Sequence, residues 1–119
     1  MWRDDAHLLD MLQAARDVRG FMQDVTWEQF RRDEILQNAL MHLMQIIGEA
    51  ARKVSGEFRL SHPEVPWAEV IGMRHRLVHE YFRIIPEKVW EVIQRDIGPL
   101  IEALEPLVPH EPGESGDSG

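Results

Sequence analysis

The sequence predicts an all-α protein, an antiparallel bundle of four or five helices. Three observations carry this. Apolar residues recur at three- and four-residue spacing through most of the chain, the period that gathers them on one helix face. No convincing strand pattern is present. Capping residues and prolines divide the periodic stretches at intervals that suit short connections. At 119 residues, the chain suits one domain with a modest single core.

The first helix is expected from about Asp4 to Met22, where Leu8, Met11, Leu12, Ala15, Val18 and Met22 share a face. Gly20 softens its end. The second begins at "TWEQ". There Thr26 can accept from a backbone amide and Gln29 can reach back, the capping-box arrangement. Ile35, Ala39, Leu43, Ile46, Ile47, Ala50 and Val54 continue as one stripe, so a single helix of about 28 residues and about 42 Å is expected. Gly56 is expected as its terminating residue. A rod this long in so small a domain suggests a spine shared with a second subunit.

"GEFRLSHPEVP" reads as a loop punctuated by Pro63 and Pro66. A shorter helix follows, from about Trp67 to His79 or Glu80. Ile85 precedes a proline and is expected to be extended, which leaves Pro86 at the first position of the last helix. Val89, Trp90, Ile93, Ile97, Leu100, Ile101 and Leu104 give that helix its face. Gly98–Pro99 predicts a kink or a break in it. "PHEPGESGDSG" is acidic and rich in Pro, Gly and Ser, and reads as disordered. The bundle is therefore assigned to residues 1–108 and an acidic tail to 109–119.

Among the remaining residues, Trp27, Trp67 and Trp90 read as packing side chains rather than base-stacking platforms. Met41, Met44 and Met73 read as core or interface fillers. Gly48 is expected to permit close helix contact, and His42 to lie on a polar face. Arg32 and Asp33 are candidates for an internal or cross-subunit ion pair.

Composition narrows the function. Cysteine is absent, which excludes a disulfide framework and a thiolate zinc site and fits a reducing cytosol. The charged start "MWRDDAHLLD" has no apolar secretory core. No run of about 18 apolar residues exists, so no membrane span is expected. A cytoplasmic location is expected. The net charge of −8 is the wrong sign for a protein that grips nucleic-acid backbone with its whole surface. Any such role must rest on a local basic patch.

One stretch supplies it. "GMRHRLVHEYF", residues 72–82, brings together Arg74, His75, Arg76 and His79, with Arg83 just beyond and Glu80 the one carboxylate among them. On a continuous helix His75 and His79 share a face, as do Arg76 and His79, whereas Arg74 and His79 stand about 140° apart. The residues alone leave three readings open. Arg76 and Glu80 can pair on a solvated face. His75 and His79 can supply two imidazole ligands to a metal, with no third ligand close by. Or the stretch can cleave RNA without a metal. Histidine then moves the 2′-hydroxyl and 5′-oxygen protons, and arginine stabilises the charged phosphate. One His and one Arg per chain are few for this chemistry, and a two-fold dimer would present two of each.

"MRHRLVHEYF" resembles the R-x4-6-H motif of HEPN-domain ribonucleases, in the R-x4-H-x-Y form of the HepT-like toxins. "RRDEILQNALMHLMQIIGEAARKVS" is similar to that family's long second helix, and "VPWAEVIGMRHRLVHEYFRIIPEKVWEVIQRDIGPLIEAL" to its third and fourth helices. With "DMLQAARDVRGFM" the resemblance covers roughly residues 5–107. It implies a homodimeric, metal-independent endoribonuclease with no cofactor, acting on RNA. Arg74 and His79 would be catalytic, with His75 and Tyr81 as possible assistants and Arg76 and Arg83 on RNA phosphates. It also implies a partner, a minimal nucleotidyltransferase antitoxin of the MNT type that transfers AMP from ATP onto Tyr81. Two positions depart from the pattern. His75 stands where the family often has Asn or another small polar residue, and Glu80 where glycine is frequent. The rival expectation is a non-catalytic HEPN module that binds nucleotide or docks the transferase.

Overall fold

The computed structural model describes residues 2–78 and 83–109. Two long helices, α1 (Trp2–Phe21) and α3 (Glu34–Lys53), share the most extensive contact in the molecule. They run antiparallel, because Asp4 at the start of α1 meets Ser55 just beyond the end of α3. Between them lies the short α2 (Trp27–Arg32), and after α3 come α4 (Gly56–Ser61), α5 (Trp67–Ile71) and α6 (Met73–Leu77). A third long rod follows: α7 (Pro86–Val92), a π-helical turn (Ile93–Ile97) and α8 (Gly98–Leu104), closed by a 3₁₀ turn (Glu105–Leu107). It packs against α1, also antiparallel, since Arg16 pairs with Glu105 while Gly20 lies beside Gly98. The class is all-α, as expected. The single strand-like pairing among the described residues is an isolated antiparallel bridge between Val78 and Ile84. No described helix is long and apolar enough to cross a membrane.

The expected second helix is two helices. The capping box is there, with Thr26 Oγ1 accepting from Gln29 N at 3.2 Å and Gln29 Oε1 accepting from Thr26 N at 2.9 Å. But the helix it opens stops at Arg32. Asp33 leaves helical geometry (φ −107°, ψ 89°) and its carboxylate accepts from Leu36 N at 2.9 Å, so it caps α3. A short acidic side chain gains more by satisfying an orphan amide than by continuing a helix. The corner is sealed by buried Gln37, whose Nε2 donates to the Phe30 carbonyl at 2.8 Å. Arg32 pairs with Glu28 at 3.4 Å rather than with Asp33.

The restart also turns the apolar face. Ile35, expected in the stripe, is 84% exposed, and Leu40 and Met44 hold the core side with Ile47, Ala50 and Val54. The segment after α3 is not all loop. Val54 is extended, Ser55 caps a new helix by accepting from Phe58 N at 3.2 Å, and Gly56 opens α4 rather than ending α3.

Gly98–Pro99 does not break the last helix. Proline has no N–H for the carbonyl four residues back, and its ring crowds that carbonyl. The turn before it widens to π geometry over Ile93–Ile97, which relieves the crowding and lets the rod continue. Ile85 is extended and Pro86 takes the first helical position, both as expected.

The three tryptophans expected to pack do so. Trp27, Phe30 and Trp90 cluster with ring centroids 5.6–6.1 Å apart, tying α2 to α7. Trp67 is buried and donates its indole N–H to the His62 carbonyl at 2.9 Å. Met41, Met44 and Met73 are in the core and His42 is exposed. Gly48 does permit close approach, since a Cβ there would stand 3.3 Å from the Val70 carbonyl oxygen of α5. The expected acidic tail from residue 110 onward lies outside the described residues.

Candidate active site

The basic stretch is held at a corner rather than along one helix. Met73 and Leu77 are buried and anchor α6 to the core; between them Arg74 is half-buried, while His75 and Arg76 are exposed. Gly72 breaks the expected continuous helix into α5 and α6, at φ −87° and ψ 4°. The chain packs tightly here, since a Cβ on Gly72 would stand 3.3 Å from the Ala68 carbonyl oxygen.

The helix ends at Leu77, not at His79 or Glu80. Val78 is extended (φ −123°, ψ 152°) and bridges Ile84, and Ile85 N donates to the Leu77 carbonyl at 2.9 Å. β-branched Val78 and Ile84 favour that extended pairing. The continuous helix presumed for the face-sharing of His75 and Arg76 with His79 ends at Leu77. The bridge instead joins the two ends of the connection over 79–83. His79, Glu80, Tyr81 and Phe82 lie outside the described residues.

Two concavities flank this bridge. One, of about 410 Å³, is lined by Arg83, Ile84 and Pro86 together with Arg31, Glu34, Gln37 and Asn38 of α2 and α3. The other, of about 300 Å³, is lined by His75, Arg76, Leu77, Val78 and Ile85, and by Lys88, Glu91, Val92 and Arg95 from the α7 rod. Arg83 lines the first, and His75 and Arg76 line the second. Arg76 also reaches back, its Nη2 donating to the Glu69 carbonyl at 3.3 Å. It thereby satisfies a carbonyl near the end of α5.

Arg95 is held charged. The hydrogen bond from its Nε to Asp96 at 3.1 Å, then the charges of Asp96 and Glu91, raise its pKa above the usual arginine value. Lys88 and Arg95 went unremarked in the sequence because they lie outside the motif. Only the packing of α6 against α7 brings them beside it.

Comparison with known proteins sets this corner in a family. A family model described as "Ribonuclease HepT-like" matches residues 11–107, which takes in α3, α6, the bridge and the α7 rod. A protein of Methanocaldococcus jannaschii named "Putative RNase MJ1380" is 34% identical over 100 residues, covering 84% of this chain and 92% of that one. "Probable ribonuclease HepT" of Thermococcus cleftensis is 33% identical over 101 residues, 85% of this chain and 92% of its own. "Putative RNase TTE0752" of Caldanaerobacter subterraneus is 33% identical over 105 residues, 88% and 94% of the two chains. No solved structure matches. Matched along nearly all of its helical body, this chain belongs to the HepT-like ribonuclease family of HEPN proteins.

Proposed function

We propose that the protein is the toxin of a HEPN/MNT toxin–antitoxin pair, a metal-independent endoribonuclease with Arg74 and His79 as its catalytic residues. The observation that carries this is the family match over residues 11–107, which contains "MRHRLVHEYF" within the family's helix order.

The chemistry follows from the residue types. An imidazole titrates near neutral pH, so His79 can take the 2′-hydroxyl proton as the 2′-oxygen attacks the adjacent phosphorus. The P–O5′ bond breaks, and the leaving 5′-oxygen takes a proton from an imidazolium. The products are a 2′,3′-cyclic phosphate and a 5′-hydroxyl end. Arg74 offers the guanidinium fork that stabilises the pentacoordinate phosphate. A two-fold dimer would bring a second His and Arg to one groove, so that base and acid need not be the same imidazole. Arg76 and Arg83, which line two separate concavities, would bind RNA phosphates. His75 either assists proton transfer or hydrogen-bonds where relatives have an amide.

Regulation rests on Tyr81. The phenol oxygen attacks the α-phosphorus of ATP held by the MNT-type transferase, and pyrophosphate leaves. The AMP joined to the tyrosine carries one negative charge and a nucleoside, and its phosphate can pair with the arginines that RNA needs. In this reading adenylylation silences the enzyme by imitating bound nucleic acid.

Induced expression should halt growth, and His79→Ala should restore it. Co-expression with the cognate transferase should add AMP units at Tyr81 by peptide mass spectrometry, and a toxic Tyr81→Phe variant should stay toxic beside it. Neutralisation of that variant would make binding, not modification, the switch. The net charge of −8 favours the second reading, a non-catalytic module that binds nucleotide or docks the transferase. Growth arrest that persists in His79→Ala would support it.

A further inference from the structure

The concavity beside α6 holds cations that the motif does not contain. Arg76 enters it from α6, and Lys88 and Arg95 from the α7 rod. Lys88, Glu91, Val92 and Arg95 follow one another at spacings of three, one and three residues, the pattern that lines up one helix face. Three basic side chains thus share the lining with one carboxylate, Glu91, while Asp96 pairs with Arg95 from beyond the lining, in a chain whose net charge is −8.

Arg95 is braced rather than consumed by its neighbours. Its Nε donates to Asp96 at 3.1 Å and its Nη1 stands 3.8 Å from Glu91, which fixes the guanidinium while five N–H donors exceed what these two partners engage. The walls also include apolar Val78, Ile85 and Val92. Cations beside an apolar wall suit a nucleotide, with phosphate on the cations and ribose or base against the aliphatic side chains. At about 300 Å³ the space is of the size that small-ligand sites occupy.

We propose that Lys88 and Arg95 form a phosphate subsite for single-stranded RNA, one that holds a nucleotide flanking the scissile bond. It rests on the ribonuclease reading above, because the ligand it takes is that enzyme's substrate. The subsite is contiguous with the motif through Arg76, Leu77 and Val78. It gives an acidic protein a local means of gripping RNA, and it sets on which side of the cut the strand is held most firmly.

The test is binding of a fluorescein-labelled 2′-O-methyl oligoribonucleotide, which has no free 2′-hydroxyl and cannot be cleaved. Lys88→Gln and Arg95→Gln should each weaken binding about tenfold, the effect of one lost charge-assisted hydrogen bond. Each should also flatten the plot of log affinity against log salt by about 0.7, one phosphate contact on a single strand. Glu91→Gln should tighten binding, a gain that misfolding does not mimic. Arg52→Gln, the same loss of charge on α3 where Arg52 pairs with Glu49, should leave affinity unchanged. If the wild type cleaves RNA and the Lys88 and Arg95 variants bind as it does, the subsite is wrong and the ribonuclease reading stands. A wild type that neither binds nor cleaves RNA overturns both.

Discussion

Asp4 shows how one carboxylate can fasten two ends of the bundle. Its Oδ1 accepts from Ser55 N at 2.9 Å and its Oδ2 from Ser55 Oγ at 2.7 Å, while the same Oγ caps α4 through Phe58 N. Burial would raise the carboxyl pKa, but the hydrogen bonds from the Ser55 amide and then its hydroxyl outweigh it and the pKa falls below its ordinary value. A carboxylate depressed in the folded state stabilises above its unfolded pKa, and that contribution is lost as pH falls through the folded value. Asp4→Ala is expected to cost about 1–3 kcal/mol in urea denaturation at neutral pH, since it removes the acceptor of the half-buried Ser55 amide and hydroxyl. The difference between variant and wild type should shrink below the ordinary aspartate range. A constant difference down to that range and beyond would mean the ionised form plays no part. Gly48→Val should also destabilise, by about 1–3 kcal/mol, because the branched side chain meets the Val70 carbonyl across the α3–α5 contact.

At the scale of elements, what could be read in the sequence was the chemistry of single boundaries. Thr26 and Gln29 announced a helix start, and Pro86 announced another. Asp33 was harder, because it lies between the capping box and the stripe that starts at Ile35, and only its cap to Leu36 reveals that a new helix begins there. Ser55–Gly56 was ambiguous in the same way, since serine can open a helix where glycine can close one. The end of α6 escaped notice because Val78 fits a helical stripe as well as it fits a bridge; its pairing with Ile84 is decided across the chain, not locally. The basic motif was legible as a set of residues, but its geometry was not. Asp33→Ala is expected to cost about 1 kcal/mol, the usual loss of an N-cap side chain, as a lowered midpoint in thermal unfolding followed by circular dichroism. No change would mean the corner is held by Gln37 and the Phe30 packing alone.

For the whole molecule, the all-α class was plain from periodicity, and family membership was plain from motif and helix order together. Neither required the side-chain detail that places Lys88 and Arg95 beside His75 and Arg76; that arises only when α7 folds back on α6. A single chain offers one Arg74 and one His79, so the proposed chemistry calls for a pair. Light scattering of purified protein should therefore give about twice the 13.9 kDa chain mass, and a monomer at micromolar concentration would remove the composite site. The most direct measurement is cleavage of an RNA strand by purified protein in EDTA, with the product ends identified by mass spectrometry. Wild-type protein should cut and leave 2′,3′-cyclic or 3′-phosphate ends, with Arg74→Ala and His79→Ala each slower by about 10²- to 10⁴-fold while still helical. Cleavage that vanishes in EDTA and returns with a divalent metal, or that survives both substitutions, would contradict a metal-independent Arg–His site.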